Sequence, residues 1–250
     1  MNNVELAGIK IDNITIDEAA VKIEEFIKKG NPRLVVTPNP EIIVAAQEDE
    51  ELRNIMNNAH LRAPDGISMV VVSKILNTPL KERVTGIDLL LKLTELSAKK
   101  NWRLFFLGGG EGVAEAAAKA LKTKFNNIQI VGFHHGYFSD SKQVISEIRN
   151  CHPDILFAGL GMGKQEKWLA ENLNKLNVPV SVAVGGSFDV VSGIKKRAPK
   201  WAQDLYVEWL YRLLTEPQRW KRQLALPKFL WLTLFKNVII NRKHRDIGEK

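Results

Sequence analysis

Short, continuous apolar runs, separated by stretches of helical periodicity, constrain this chain more than any other feature. The runs Arg33-Leu-Val-Val-Thr37, Trp102-Arg-Leu-Phe-Phe-Leu107, Ile128-Gln-Ile-Val-Gly132, Asp154-Ile-Leu-Phe-Ala-Gly159 and Val180-Ser-Val-Ala-Val184 do not alternate apolar with polar. Both faces of each predicted strand must therefore be covered. Strands of this kind alternating with helices give an α/β fold, a mainly parallel, Rossmann-like sheet with helices on both faces. In such sheets ligands bind beyond the carboxyl ends of the strands. The loops that hold Thr37, Asp65, Gly108, Gln165 and Asp189 all follow predicted strands, so they should converge on one edge.

Local signals place the remaining pieces. Val4 to Ile11 suits an edge strand or hairpin arm, and Thr15-Ile-Asp-Glu18 is a capping box that opens a helix stopped by Gly30. Pro38-Asn39-Pro40 ends the first core strand. Glu48-Asp-Glu-Glu51 suits a solvated helix start, and the helix after Met162-Gly-Lys-Gln-Glu166 is expected from Trp168.

Charge divides the chain unevenly. Net charge is +8, yet from Lys195 onward there are 14 Lys and Arg against 5 Asp and Glu, leaving 22 against 23 for residues 1–194. Trp201, Trp209, Trp220 and Trp231 lie in the same basic stretch. Composition thus predicts an α/β domain over 1–194, which holds the candidate site residues of the strand-end loops, and a helical, basic, Trp-rich appendage over 195–250. A single cysteine, Cys151, excludes an internal disulfide. With acidic residues and no apolar core in its first twenty positions, the chain is expected to lack a secretory signal and to stay in the cytoplasm.

Asp65 is the first candidate for chemistry. Pro64 and Gly66 make a stiff turn that projects it just before the apolar helix starting near Ile67, so it is either that helix's N-cap or a carboxylate held at a ligand edge. Gly108-Gly-Gly-Glu-Gly112 joins a strand to a helix and suits a phosphate cradle, with Gly108 and Gly109 foremost; a tight turn without a ligand is equally compatible. The acidic residue that a dinucleotide site wants at the end of the next strand is absent, which disfavours a nicotinamide enzyme. No metal site is expected: there is no Asp-x-Asp, and His134 and His135, as strand neighbours, should point to opposite faces. Ser187 does not sit in a Gly-x-Ser-x-Gly elbow.

In the basic stretch, Arg212, Arg219 and Arg222 are candidates for a charge-assisted clamp on an anionic group. Leu224 to Ile240 is apolar but interrupted by Pro227, Lys228 and Lys236. It suits an interfacial segment on an anionic membrane, with Phe229, Trp231 and Phe235 entering lipid. The alternative is a helical hairpin packed on the core or on another subunit, which would make a homo-oligomer. Nucleic-acid binding by the basic tail is a competing reading that the strongly apolar Phe229-Leu-Trp-Leu-Thr-Leu-Phe235 run disfavours.

Thr37-Pro-Asn39, Pro64-Asp-Gly66, Glu82-Arg-Val-Thr-Gly-Ile-Asp88, Lys164-Gln-Glu166, Gly185-Gly-Ser-Phe-Asp189, Arg197-Ala-Pro199 and Glu208-Trp-Leu-Tyr-Arg212 together resemble the WecG/TagA/CpsF family of bacterial glycosyltransferases, in order and over nearly the whole chain. Ser68 and Gly163 depart from the family pattern. The resemblance implies an inverting transferase that moves an N-acetylhexosamine-type sugar from a UDP donor to an undecaprenyl-diphosphate-linked sugar at the inner face of the membrane. In the teichoic-acid branch it implies transfer of N-acetylmannosamine to GlcNAc-diphospho-undecaprenol. It further implies Asp65 as general base, Thr37, Asn39 and Gln165 as sugar-binding positions, Arg83 as an arginine near the site, and the motif residues Gly185, Gly186 and Asp189 as substrate-binding. No cofactor and no metal are expected.

Overall fold

The computed structural model describes residues 2–205, 207–216, 218 and 220–234. The chain opens with a hairpin of β1 (Asn3–Leu6) and β2 (Ile9–Asp12), turned by Ala7 and Gly8, both at positive φ. Helix α1 (Ile16–Lys29) starts at the expected capping box: the Glu18 amide donates to Thr15 Oγ1 at 3.2 Å and the Thr15 amide donates back to the Glu18 carboxylate at 2.9 Å. Gly30 closes it in the left-handed region.

Then follow β3 (Arg33–Val36), α2 (Pro40–Ala45), α3 (Glu50–Asn58), β4 (Leu61–Arg62), α4 (Ile67–Ile75) and α5 (Gly86–Lys100). The acidic Glu48–Glu51 stretch is the start of α3, with Asp49 as N-cap. Beyond them lie β5 (Arg103–Gly108), α6 (Val113–Lys124), β6 (Gln129–His134), α7 (Ser141–Asn150), β7 (Ile155–Gly159), α8 (Lys164–Leu176), β8 (Val180–Ala183) and α9 (Ser187–Val191). Helix α8 begins at Lys164, earlier than the expected Trp168, because the Gln165 and Lys167 amides already bond the Gly161 and Gly163 carbonyls at 3.0 and 3.1 Å. Gln165 and Glu166 are therefore first-turn residues rather than loop residues.

The six-stranded sheet runs β4-β3-β8-β7-β5-β6, and every pairing is parallel. Successive strand residues go to opposite sides. Leu34, Phe105, Leu107, Leu156 and Ala158 join the apolar cluster beneath the hairpin, α2 to α4, α7 and α8. Val35, Leu104, Phe106, Phe157 and Val182 join the one beneath α1, α5, α6 and α9. Burial on both faces is the physical reason these strands carry no polar alternation.

The C-terminal stretch contains α10 (Lys200–Asp204), α11 (Glu208–Thr215), α12 (Trp220–Gln223) and helical residues 225–234. It packs on the α/β body. Phe229 and Leu232 are buried within the cluster beneath the hairpin, and Lys228 pairs with Glu48 at 2.7 Å. Phe229, expected in lipid, is thus a core residue, while the Trp231 beside it is 60% exposed and Phe235 lies outside the described residues. Helical periodicity accounts for the split, because residues 229, 232 and 233 share the inward face. The change of composition at Lys195 is not a gap in the packing.

Candidate active site

The crevice follows from topology. Helix α2 leaves β3 toward one face of the sheet and α9 leaves the neighbouring β8 toward the other, so a gap opens between their carboxyl ends. Two cavities meet there. One, of about 260 Å³, is lined among others by Asn39, Asp65, Arg83, Thr85, Gly86, Gly186, Glu208 and Trp209. The other, of about 80 Å³, is lined by Thr37, Asn39, Ile42, Asp65, Met162, Gln165, Glu166, Val184 and Gly185. Asp65, Asn39 and Val184 belong to both, which places the carboxylate at the junction.

Asp65 is not a helix cap. Gly66, at φ 122, holds the N-cap position of α4, and no side chain caps that helix. The turn directs Asp65 instead to α5, whose first amide, Gly86 N–H, donates to Asp65 Oδ2 at 3.3 Å. The Asp65 amide is fixed by the Pro38 carbonyl at 2.8 Å and the Val84 amide by that of Pro64 at 2.7 Å, so both neighbouring segments hold the turn. Gly86 packs closely there: a Cβ would stand 3.3 Å from the Val184 carbonyl oxygen and 3.4 Å from Thr37 Oγ1, a tight fit. The positive end of α5 can then reach the strand ends and the carboxylate.

Thr37 anchors its loop by donating to the Ala183 carbonyl at 3.2 Å. Asn39 caps α2, its Oδ1 accepting from the Ile42 amide at 2.9 Å. Gln165 and Glu166 are both buried. The Gly185 amide donates to Gln165 Oε1 at 3.0 Å, Gln165 Nε2 donates to Glu166 Oε1 at 2.8 Å, and the Gly163 amide donates to Glu166 Oε2 at 2.7 Å. Burial pushes the Glu166 carboxyl above the ordinary glutamate range, against these hydrogen bonds, which favour its ionised form. On the far wall Arg83 meets Glu208 of α11 at 3.4 Å, both largely buried, so the C-terminal stretch forms part of the cavity. Behind that wall Thr85 caps α5 and hydrogen-bonds Asp88, which also pairs with Arg197.

The expected residues do not all arrive here. Gly108 and Gly109 line neither cavity. Their glycines serve a close backbone approach: the Gly109 amide donates to the Gly159 carbonyl at 3.1 Å, and a Cβ on Gly108 would overlap that carbonyl. Asp189 also lines neither; it pairs with Lys195 at 3.0 Å. Arg222 lines a neighbouring groove of about 260 Å³ with Glu41, Val44, Met162, Leu224, Ala225 and Lys228. Glu41 also lines the larger cavity and Met162 the smaller one. The Arg212 side chain and Arg219 lie outside the described residues. His134 and His135 do not diverge: β6 ends at His134, and the two rings lie against each other, tilted by 41° with centroids 4.5 Å apart. Among the described residues no group of three His, Cys, Asp or Glu could hold a metal ion.

Sequence reasoning did not assign Glu166 or Glu208. Both stand in quoted motifs, beside Gln165 and at the head of Glu208-Trp-Leu-Tyr-Arg212, but their burial is visible only in three dimensions.

Residues 4–244 match the model of the glycosyl transferase WecG/TagA/CpsF family. The chain is 37% identical over 213 residues, covering 85% of it and 83% of the relative, to an N-acetylglucosaminyldiphosphoundecaprenol N-acetyl-beta-D-mannosaminyltransferase of Bacillus subtilis (strain 168). It is 36% identical to the protein of the same name from Bacillus spizizenii, over 84% of this chain and 81% of that one. To the one from Staphylococcus aureus (strain NCTC 8325 / PS 47) it is 33% identical over 91% of each.

Proposed function

This chain belongs to the glycosyl transferase WecG/TagA/CpsF family, and on that premise we propose that it transfers N-acetylmannosamine from UDP-N-acetylmannosamine to GlcNAc-diphospho-undecaprenol, in a β-1,4 linkage, to build a teichoic-acid linkage unit. The names of the relatives support the acceptor and the sugar. One structural observation carries the chemistry: a carboxylate, Asp65, at the junction of two cavities on the ligand-binding edge of a parallel sheet.

The transferred sugar occupies the smaller, polar recess beside Thr37, Asn39 and Gln165. The acceptor enters through the larger cavity, where the C-terminal stretch supplies a wall. Asp65 takes the proton of the acceptor hydroxyl as its oxygen attacks the anomeric carbon, and the bond from that carbon to UDP breaks on the opposite face, which inverts the configuration. The Gly86 amide holds the carboxylate in line. Arg83 at the cavity and Arg222 in the adjoining groove are placed to meet the diphosphate. No metal is assigned to the reaction; the arginines are read as carrying the charge of the diphosphate instead.

Attachment to the inner face of the membrane is the location that suits a lipid-linked acceptor. No helix among the described residues is long and apolar enough to cross a membrane. Trp201, Leu205, Trp209, Leu214, Trp220 and Trp231 of the C-terminal stretch are all exposed, as an interfacial surface requires. Mass analysis of products from a panel of UDP-sugars with a short-chain GlcNAc lipid diphosphate tests the reading. One added N-acetylhexosamine, from UDP-N-acetylmannosamine and undiminished in EDTA, is expected. Preference for UDP-N-acetylmannosaminuronic acid or UDP-glucose, or activity restored only by a divalent metal, would overturn the donor or the metal assignment. Sedimentation with anionic vesicles tests the location.

A further inference from the structure

We propose that Glu166 is a positioning residue that fixes the Gln165 amide so that it offers an N–H donor to an oxygen of the transferred sugar; this deepens the donor-site reading above and rests on it. Gln165 and Glu166 are 4% and 3% exposed and both line the smaller recess. An isolated glutamine amide can present either its oxygen or its nitrogen to a ligand. Here the choice is forced by chemistry. The Gly185 N–H can meet only an acceptor, so Gln165 Oε1 must face it, at 3.0 Å. The Glu166 carboxylate, already accepting from Gly163 N–H, takes one Nε2 hydrogen at 2.8 Å. The donor Gln165 has left for the recess is its second N–H, beside the remaining lone pair of Oε1. The same chain of bonds ties the loop after β7 to the loop after β8, where Gly185 stands at φ 55.

Two variants separate scaffold from presentation. In Glu166→Gln the introduced amide must turn its oxygen to Gly163 N–H, so its NH₂ faces the NH₂ of Gln165. If Gln165 flips to accept, it points its nitrogen at the Gly185 N–H. One bond of the three is lost either way. In the exchange Gln165→Glu/Glu166→Gln all three bonds survive, since the introduced carboxylate accepts from both Gly185 and the introduced amide, but position 165 now offers the recess only acceptor lone pairs.

The exchange variant is expected to melt like wild type, to leave the Gly185 amide resonance in place and to bind UDP alone normally. Its KM for the UDP-sugar should rise about tenfold or more, the scale of one hydrogen bond turned unfavourable. Glu166→Gln should shift the Gly185 and Gln165 side-chain resonances and raise the same KM more than it lowers kcat. An exchange variant with wild-type KM, an equal loss of affinity for UDP alone, or a Glu166→Gln protein whose Gly185 and Gln165 signals do not move would overturn the proposal. Wild-type protein that turns over no UDP-sugar would refute the donor-site reading instead, while the resonances still decide whether Glu166 sets the Gln165 amide.

Discussion

Two crevices in this sheet have the same topological origin and opposite outcomes. Between β3 and β8, and between β7 and β5, as at two further neighbouring pairs of this sheet, adjacent strands send their helices to opposite faces, the arrangement that leaves a gap at the carboxyl ends. The β3/β8 gap is open and lined by Asp65, Asn39, Gln165 and Gly86. The β5/β7 gap is shut by its own backbone: the Gly109 amide donates to the Gly159 carbonyl at 3.1 Å, and a Cβ on Gly108 would overlap that same carbonyl. A glycine-rich loop at a strand end can let a ligand approach the backbone or let another strand do so. In this chain the more glycine-rich loop does the second, and the polar Thr37-Pro-Asn39 loop borders the cavities.

The sharpest way to break the comparison is to remove the charge at the open crevice. Asp65→Asn is expected to lower turnover by ~10²–10⁴-fold, the usual worth of general-base catalysis. Its melting temperature should hardly change, since an asparagine oxygen can still accept from Gly86 N–H and Gly66, not Asp65, occupies the cap. Turnover assays and calorimetry on the same preparation decide it. A variant that melts early and keeps its rate would make Asp65 structural.

At the shut crevice the effect should fall on stability. Gly108→Ala puts a methyl group into the Gly159 carbonyl at a residue with φ 141. Overpacking of about 1–3 kcal/mol adds to backbone strain of about 1–2 kcal/mol, so a loss of roughly 3 kcal/mol is expected in urea denaturation. Gly185→Ala is the matched control at the open crevice. Its φ is 55 but nothing lies within 4 Å of a Cβ there, so only strain of about 1–2 kcal/mol applies. If the two variants lose stability equally, the crevices do not differ as the backbone contacts imply. If Gly108→Ala instead folds normally and loses UDP affinity, the phosphate cradle expected from Gly108–Gly112 is restored.

This contrast also marks what the sequence could show. The parallel sheet was legible because burial on both faces leaves an unbroken apolar signature, as in Leu104 to Leu107. The capping box of α1 was legible because its bonds are local. Thr37, Asn39, Asp65 and Gln165 were legible as a group because each follows a strand and stands in a motif that carries the family resemblance. Whether a strand-end loop opens or closes depends on the neighbouring strand, and neither Gly108 nor Asp189 carries that information in its own surroundings. Phe229 was misplaced for a related reason: its burial depends on a face of the hairpin cluster far away in the chain. Glu166 was invisible as a buried acid because nothing local separates it from the exposed glutamates of other helix starts.

The smallest expected effect concerns that acid and sharpens the comparison through pH, since the open crevice carries titratable groups on its polar wall. Burial raises the Glu166 pKa in the folded protein above its unfolded value of about 4.3. A raised carboxyl contributes stability that is fully present below the unfolded pKa and is lost as pH rises through the folded one. Wild-type stability should therefore decline with rising pH across that window, and Glu166→Gln, which cannot ionise, should lack this part of the decline. The bonds from Gln165 and Gly163 oppose the effect of burial and so narrow that window. Asp65 is the other titratable residue lining the same recess, so the pair is best measured in an Asp65→Asn background by urea denaturation from acid to neutral pH. Parallel stability curves with and without Glu166→Gln would show that Glu166 ionises in the folded protein as easily as in the unfolded one, and that the polar wall of the open crevice is better hydrated than its burial implies.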